Sequence, residues 1–421
     1  MIHAMKIKYE KNSLFIYKFA IVVVGVFFKV LVTFSLSKLI ALELGPGEFS
    51  KYGQYYVALS FLYTLANFGL VNAYTVYFSS DKFQINIVDR KNILYVIAFL
   101  GGGGVGIFVV FLLILNKIFF FLPYETSYRL MFFIFLYCAG SPLGCAMMAS
   151  AVAENKYGRQ QLINVGGGIF SVSLLLISSY LMNFDVEYAV IVYCVGFLFP
   201  LFFLKRKYFF YCISNKREFF NALIFLKPFV IPGTSGAFIG SFALMAVVAI
   251  VRDRLLAEHS GTWFAIWRLS EASTGLIITI ASTIFLPRMV RAKENINREI
   301  YLTCIAMLIL YAPLLILFYF YPSLTLGFFF SSEFSKNVPN LSFQIFGDLL
   351  KLFCAAKIMK FSAMAMPKNV LITEIIFSSI FFSASYILIS NENIMSVLIA
   401  YFSSYAILFI VLTFLFKNKI N

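Results

Sequence analysis

Residues 346–365 read "FGDLLKLFCAAKIMKFSAMA", and four ionisable side chains, Asp348, Lys351, Lys357 and Lys360, interrupt this otherwise apolar run. Similar intrusions occur elsewhere: Lys29 and Lys38 in "FKVLVTFSLSK", Arg268 with Glu271 in "AIWRLSEAS", and Glu374 in "LITEIIF". Lys29, Lys38, Arg268, Lys351 and Lys357 outnumber the carboxylates Asp348, Glu271 and Glu374. One aspartate cannot neutralise the lysines around it, so the surplus positive charge requires water or an anionic guest. Such a cluster suits charge-assisted capture of phosphate or carboxylate.

Bond-making chemistry finds no support. His3 and His259 are the only histidines and lie far apart, no nucleophile–base pair stands out, and no GxxxxGK[ST] phosphate loop is present. Six cysteines are scattered without a CxxC, which implies neither a metal site nor a disulfide framework. "GGGGVG" at 101–106 formally fits a dinucleotide fingerprint, but no strand precedes it, so it reads as close helix packing. Glu43 with Glu48, and Asp185 with Glu187, read as solvated span ends. The expectation is a non-enzyme with no cofactor and no metal.

The elements that must position these charges are membrane helices. The chain has 421 residues, 61% hydrophobic and only 13% charged, with a mean hydropathy of +0.89. A soluble domain averages about 25% charged residues. Each ionised side chain at a bilayer centre costs roughly 2.5–3.5 kcal/mol on insertion scales, so those retained there need a purpose. Apolar runs of membrane-spanning length fall at 14–40, 52–79, 92–115, 128–152, 161–182, 188–204, 222–251, 264–287, 300–321, 341–363, 370–389 and 394–416, which predicts twelve spans. The first has no cleavage site and is too long for a signal peptide. The net charge of +15 then resolves into topology rather than a nucleic-acid footprint. Alternate inter-span segments, including "KRK" at 205–207 and "RMVRAKENINR" at 288–298, hold twenty Lys/Arg, against six in the other set. That asymmetry places both termini of a multi-pass membrane protein in the cytoplasm.

The basic segment 205–221 falls near the midpoint, which predicts an N-terminal bundle of six helices (1–204), a cytoplasmic linker, and a C-terminal bundle of six (222–421). "KPFVIPGTSGAFIGS" at 227–241 concentrates helix breakers and predicts an interrupted seventh span. Lys29 lies about 22 Å along its span, near mid-membrane, on a stripe with Thr33 and Ser37. Ser60, Thr64 and Asn67 form a second polar stripe. Lys38 and Lys360 lie close enough to span ends to snorkel. Arg268 with Glu271, and Asp348 with Lys351, are i, i+3 neighbours, so each couple can pair, with Asp348 orienting Lys351.

Three stretches resemble one family. "FKVLVTFSLSKLIALELGPGEF" (28–49) is similar to the first span of Wzx-type flippases, with two lysines nine apart before L-G-P. "FQIFGDLLK" (343–351), continued by "LITEIIF", resembles their Q-x-x-G-D-x-x-K element, and "AIWRLSEAS…TIASTIFLPRMVR" (265–291) resembles their eighth span. These flippases, including those of O-antigen and enterobacterial common antigen, belong to the multidrug/oligosaccharidyl-lipid/polysaccharide exporter (MOP) superfamily. The resemblance implies an all-α polytopic, MATE-like fold of two six-helix bundles around a central cavity open alternately to each side. It implies an undecaprenyl-pyrophosphate-linked oligosaccharide as cargo, membrane lipids as surroundings, H⁺ or Na⁺ as coupling ion, and a polymerase and chain-length regulator as pathway partners. Lys29, Lys38, Asp348 and Lys351 match by position; Arg268 departs from the pattern, which can carry a neutral residue there. Two alternatives remain: an ion-coupled multidrug exporter of the same superfamily, which would favour a carboxylate-rich cavity, and a polysaccharide polymerase or ligase, which would need a large catalytic loop.

Overall fold

The computed structural model describes residues 2–68, 70, 74, 77–78, 87–114, 127–154, 156–181, 184–291, 295–336, 338–364, 366–389 and 393–414. The expected basic segments at 80–86, 292–294 and 417–421, and part of 69–79 at the end of the second expected span, lie outside them. Every regular element among the described residues is a helix. In chain order these are α1 (Ile2–Ala66), α2 (Ile87–Ile114), α3 (Tyr128–Ala153), α4 (Tyr157–Leu181), α5 (Val186–Gly196) with a 3₁₀ turn at Phe199–Phe203, and α6 (Arg206–Ser214). There follow α7 (Lys216–Arg254), α8 (Ala257–Arg291), α9 (Ile296–Phe320), α10 (Pro322–Phe329) with a 3₁₀ turn at Ser332–Ser335, α11 (Ser342–Ala363), α12 (Pro367–Leu388) and α13 (Ile394–Phe414).

At 1.5 Å per residue the 65 residues of α1 would run about 98 Å, three times the hydrocarbon thickness, so the helix cannot continue straight. It breaks at Gly45, whose φ of 66° and ψ of 175° a side chain would resist, and Pro46 starts the second arm. Leu36 with Tyr56, Thr33 with Ser60, and Lys29 with Tyr63 are nearly equidistant from this break and line one cavity, as the arms of an antiparallel hairpin must. Nine of the described helices are long and apolar enough to cross a membrane, with α1 counted once. Its second arm, α7 and the charged α11 bring the number to the expected twelve.

Local chemistry explains several joints. Asp185, read from sequence as a solvated loop acid, caps α5 by accepting the Tyr188 N–H at 2.8 Å. The glycine run of α2 lies against α3, and a Cβ at Gly106 would sit 2.9 Å from the Phe135 ring, so the close-packing reading holds. The seventh span differs from expectation. Its backbone is helical throughout Lys216–Arg254 despite Pro228 and Pro232, as membrane helices can be when surrounding groups satisfy the freed carbonyls.

The helices α2 to α5 pack mainly on one another and on α1, α7 to α13 pack mainly among themselves, and the linker helix α6 rests on α2. Between these groups α1 packs on α7 and α8. At the end where Gly45 turns, Phe49, Tyr52, Phe264, Phe330 and Phe334 are all but fully buried, with Phe49 ring centroids 5.4 Å from Phe264 and from Phe334. Ser50 and Ser260 hydroxyls meet at 2.8 Å beside them. The two groups are thus sealed together at the end opposite the basic linker.

Candidate functional site

Lys29 opens into a cavity of about 410 Å³ enclosed by α1, α3, α4 and α5. Hydroxyls of Thr33, Ser60 and Ser141, the Asn164 amide and the rings of Tyr56, Tyr63, Tyr137 and Tyr193 share the lining, which among the described residues contains no carboxylate. Ser141 is 2% exposed and its hydroxyl has no hydrogen-bond partner. Lys29 and Thr33 of the first polar stripe read from the sequence therefore face this interior, Ser37 turns instead to Arg268, and Ser60 of the second stripe joins the lining. Such a cavity can hold an anion against one ammonium, with hydroxyls and amides for hydrogen bonds and rings for apolar or glycan faces.

A second polar centre lies in the other helix group. Asp348 on α11 is fully buried, and its oxygens accept hydrogen bonds from three other helices and from its own. Oδ1 takes the hydroxyls of Ser270 on α8 (2.5 Å) and Tyr401 on α13 (2.8 Å) and the Gln344 amide (3.3 Å); Oδ2 takes the hydroxyl of Tyr311 on α9 (2.8 Å). A buried carboxylate with this many donors is satisfied without a cation. Sequence reasoning missed these partners. Gln344 was legible as the i−4 neighbour of Asp348, but Tyr311 and Tyr401, 37 and 53 residues away, carried no signal.

The expected i, i+3 couples do not form. Lys351 turns to Glu271 across the α8–α11 interface, Nζ to Oε2 at 2.6 Å, so Asp348 does not orient it. Asp348 is already filled by hydroxyls, while the Glu271 side chain keeps 46% of its surface and can reach across. Arg268 is left to α1: its guanidinium lies 3.9 Å from the Tyr56 ring centroid and donates to the Ser37 hydroxyl at 3.3 Å. It is 6% exposed, and its Nε has no partner. It therefore joins the two helix groups rather than pairing within its own helix.

The remaining candidates scatter. The Lys38 ammonium donates at 2.6 Å to the Phe328 carbonyl at the end of α10, where a cation is favoured. Lys357 points to α13, donating to the Thr413 hydroxyl and lying 4.0 Å from the Phe409 ring. Lys360 is 7% exposed and 3.3 Å from Asn297 on α9, buried by that helix rather than carried out to water. Glu374 lies between α12 and α7, where a Cβ at Gly240 would be 3.4 Å from its Oε2. The structure thus joins Glu271 to Lys351, and Asp348 to Ser270, but gathers no single cationic cluster.

No protein-family model matches the sequence, and no curated protein matches it. Solved structures do match over nearly the whole chain. An inward-facing multidrug resistance MATE family transporter of the MOP superfamily aligns with a TM-score of 0.74 at 14% identity, covering 93% of this chain and 94% of the other. The lipid II flippase MurJ, in an inward closed conformation, gives 0.67 at 13% identity, covering 94% and 87%. A MOP superfamily transporter from Pyrococcus furiosus Vc1 (DSM3638), described by the reverse polarity of its binding pocket, gives 0.66 at 15% identity, covering 96% and 95%. The chain has the MATE-like fold of MOP superfamily transporters.

Proposed function

We propose that this protein is a flippase that moves an undecaprenyl-pyrophosphate-linked oligosaccharide, an O-antigen repeat unit or similar, from the cytoplasmic to the periplasmic leaflet of a bacterial inner membrane by alternating access. The observation that carries the reading is the Lys29 cavity, whose lining holds an ammonium, hydroxyls, an amide and aromatic rings but, among the described residues, no carboxylate. A pyrophosphate supplies the missing negative charge, a glycan uses the polar wall, and the prenyl chain can remain in lipid. Lys351 adds a second ammonium that an anion can draw from Glu271, and Arg268 a third once α8 leaves Tyr56. Asp348, Glu271 and Glu374 are the carboxylates available for H⁺ or Na⁺ coupling. Lys38 and Lys357 have the weakest claim, since both are tied to their own surroundings.

A multidrug exporter of the same superfamily is the competing reading, favoured by the likeness to the MATE transporter. Cells lacking the gene separate the two. The flippase reading expects lost surface polysaccharide, lipid-linked repeat units retained at the cytoplasmic face, and rescue by wild type but not by Lys29→Ala. Normal polysaccharide together with raised drug sensitivity would replace it with the exporter reading.

A further inference from the structure

A second cavity, about 720 Å³, lies between α1, α2 and the basic end of α7. Phe68, Leu70, Ile97, Leu100, Leu223 and Leu226 are among the apolar side chains that dominate its wall. Among the described residues one charged side chain, Lys227, joins them, and the lining holds no acid. Phe219, Leu223, Lys227 and Val230 of the lining follow one face of α7 at helical spacing, with Lys216 one turn before them on the same face, so the groove sets one cation among apolar side chains. Leu100, Leu223 and Ile224 are 52%, 37% and 68% exposed, leaving the groove open to the bilayer.

Depth supports the same picture. Lys227 lies 25 residues before Arg252, near the opposite end of α7, or about 37 Å along the helix. The hydrocarbon core is about 30 Å thick, which puts the Lys227 ammonium at head-group level. From there the groove extends along α2 to Gly101, about 18 Å from Asp89. Lys216, Arg217 and Lys227 are exposed and form no ion pair among the described residues. Glu218, the acid beside them, instead accepts the Tyr211 hydroxyl at 2.9 Å. Basic pockets between membrane helices on this side hold anionic head groups.

We propose that this groove binds one anionic phospholipid of the linker-side leaflet, with its phosphate on Lys227 and an acyl chain along α2 and α7. The lipid bridges the two helix groups at the end away from the aromatic seal. The site is separate from the Lys29 cavity and stands whether or not the flippase reading does.

The test uses full-length protein, stripped of native lipid in detergent and offered equal dioleoylphosphatidylglycerol and dioleoylphosphatidylcholine before native mass spectrometry. One phosphatidylglycerol should be retained in preference. Lys227→Gln, an exposed change that leaves the fold intact, should lower that preference about fivefold, the worth of one cation at an anionic surface. Gly101→Leu with Leu223→Trp should fill the groove and remove retention of both lipids, while an unchanged thermal midpoint shows that the variant is folded. Equal retention of the two lipids by wild type, or an unaltered preference in Lys227→Gln, overturns the proposal. Mole-for-mole displacement of phosphatidylglycerol by undecaprenyl phosphate also overturns it, assigning the groove to a prenyl chain.

Discussion

Replacing Asp348 tests whether its buried hydrogen-bond centre holds the second helix group together. Asp348→Ala removes the acceptor of Ser270, Tyr311, Tyr401 and Gln344. Gln344 keeps the Ser270 oxygen at 2.9 Å, and a serine hydroxyl can rotate to a backbone carbonyl, but the two buried tyrosine hydroxyls have no such recourse. Each stranded donor costs about 1–3 kcal/mol, so the variant should lose about 2–6 kcal/mol. Asp348→Asn retains one acceptor oxygen and gives up charge assistance, with part of the loss returned because no carboxylate is desolvated; about 1–2 kcal/mol is expected. At about 2 °C per kcal/mol for a large domain, Asp348→Ala should melt about 4–12 °C below wild type and Asp348→Asn about 2–4 °C below. Thermal unfolding in detergent reads both. A midpoint for Asp348→Ala within 1 °C of wild type, or one no lower than that of Asp348→Asn, would refute the reasoning.

Lys29→Ala should lose transport in the reconstituted protein while its melting midpoint moves by less than 2 °C, because the ammonium faces a cavity rather than a packed core; a large drop in stability would contradict that placement. A Ser50→Cys/Ser260→Cys pair, at hydroxyls 2.8 Å apart, should form a disulfide on oxidation that stops transport until reduced, and continued transport with the bond formed would show that the sealed end need not open. Arg268→Lys should behave nearly as poorly as Arg268→Ala in transport, since stacking on Tyr56 needs the planar guanidinium; full activity in the lysine variant would dismiss the stacking. Burial pushes the Cys212 thiol on the linker helix α6 up to about 11, so maleimide labelling should be slow at pH 7 and rise about tenfold per pH unit until it levels near pH 11. Fast labelling of Cys212 at pH 7 would mean that α6 does not stay on α2.

The fold was largely legible because its signals are local. Apolar length predicts the spans, the gap between the first two spans leaves room for the reversal found at Gly45, and the glycines at 102 and 106 mark a helix contact. Partner choice among the charges was not. The spacing of Asp348 with Lys351 and of Arg268 with Glu271 shows which groups can meet on one helix, yet each of these charges is claimed by a residue of a neighbouring helix. Ser270, Tyr311, Tyr401 and Tyr56 read in sequence as ordinary span residues, and only the packing of α8, α9, α11, α13 and α1 turns them toward a charge. Lys360 misled for the same reason: nearness to a helix end allows snorkelling, but Asn297 on α9 closes over it.

The rings at the Gly45 end set an energetic condition on any movement. Phe49, Tyr52, Phe264, Trp267, Phe330 and Phe334 are at most 8% exposed, and such side chains bury about 150–250 Å² each. Wetting a third of that area, about 400 Å², costs roughly 10 kcal/mol. One elementary charge falling through 100 mV returns only about 2.3 kcal/mol, so a single coupling ion cannot unlatch this end. Under the alternating access proposed above, the loss must be offset at once by an equivalent seal closing at the opposite face. On the proposed function the protein would then work as a balance: area leaves one pan as it enters the other, and the cargo and ion need only tip it.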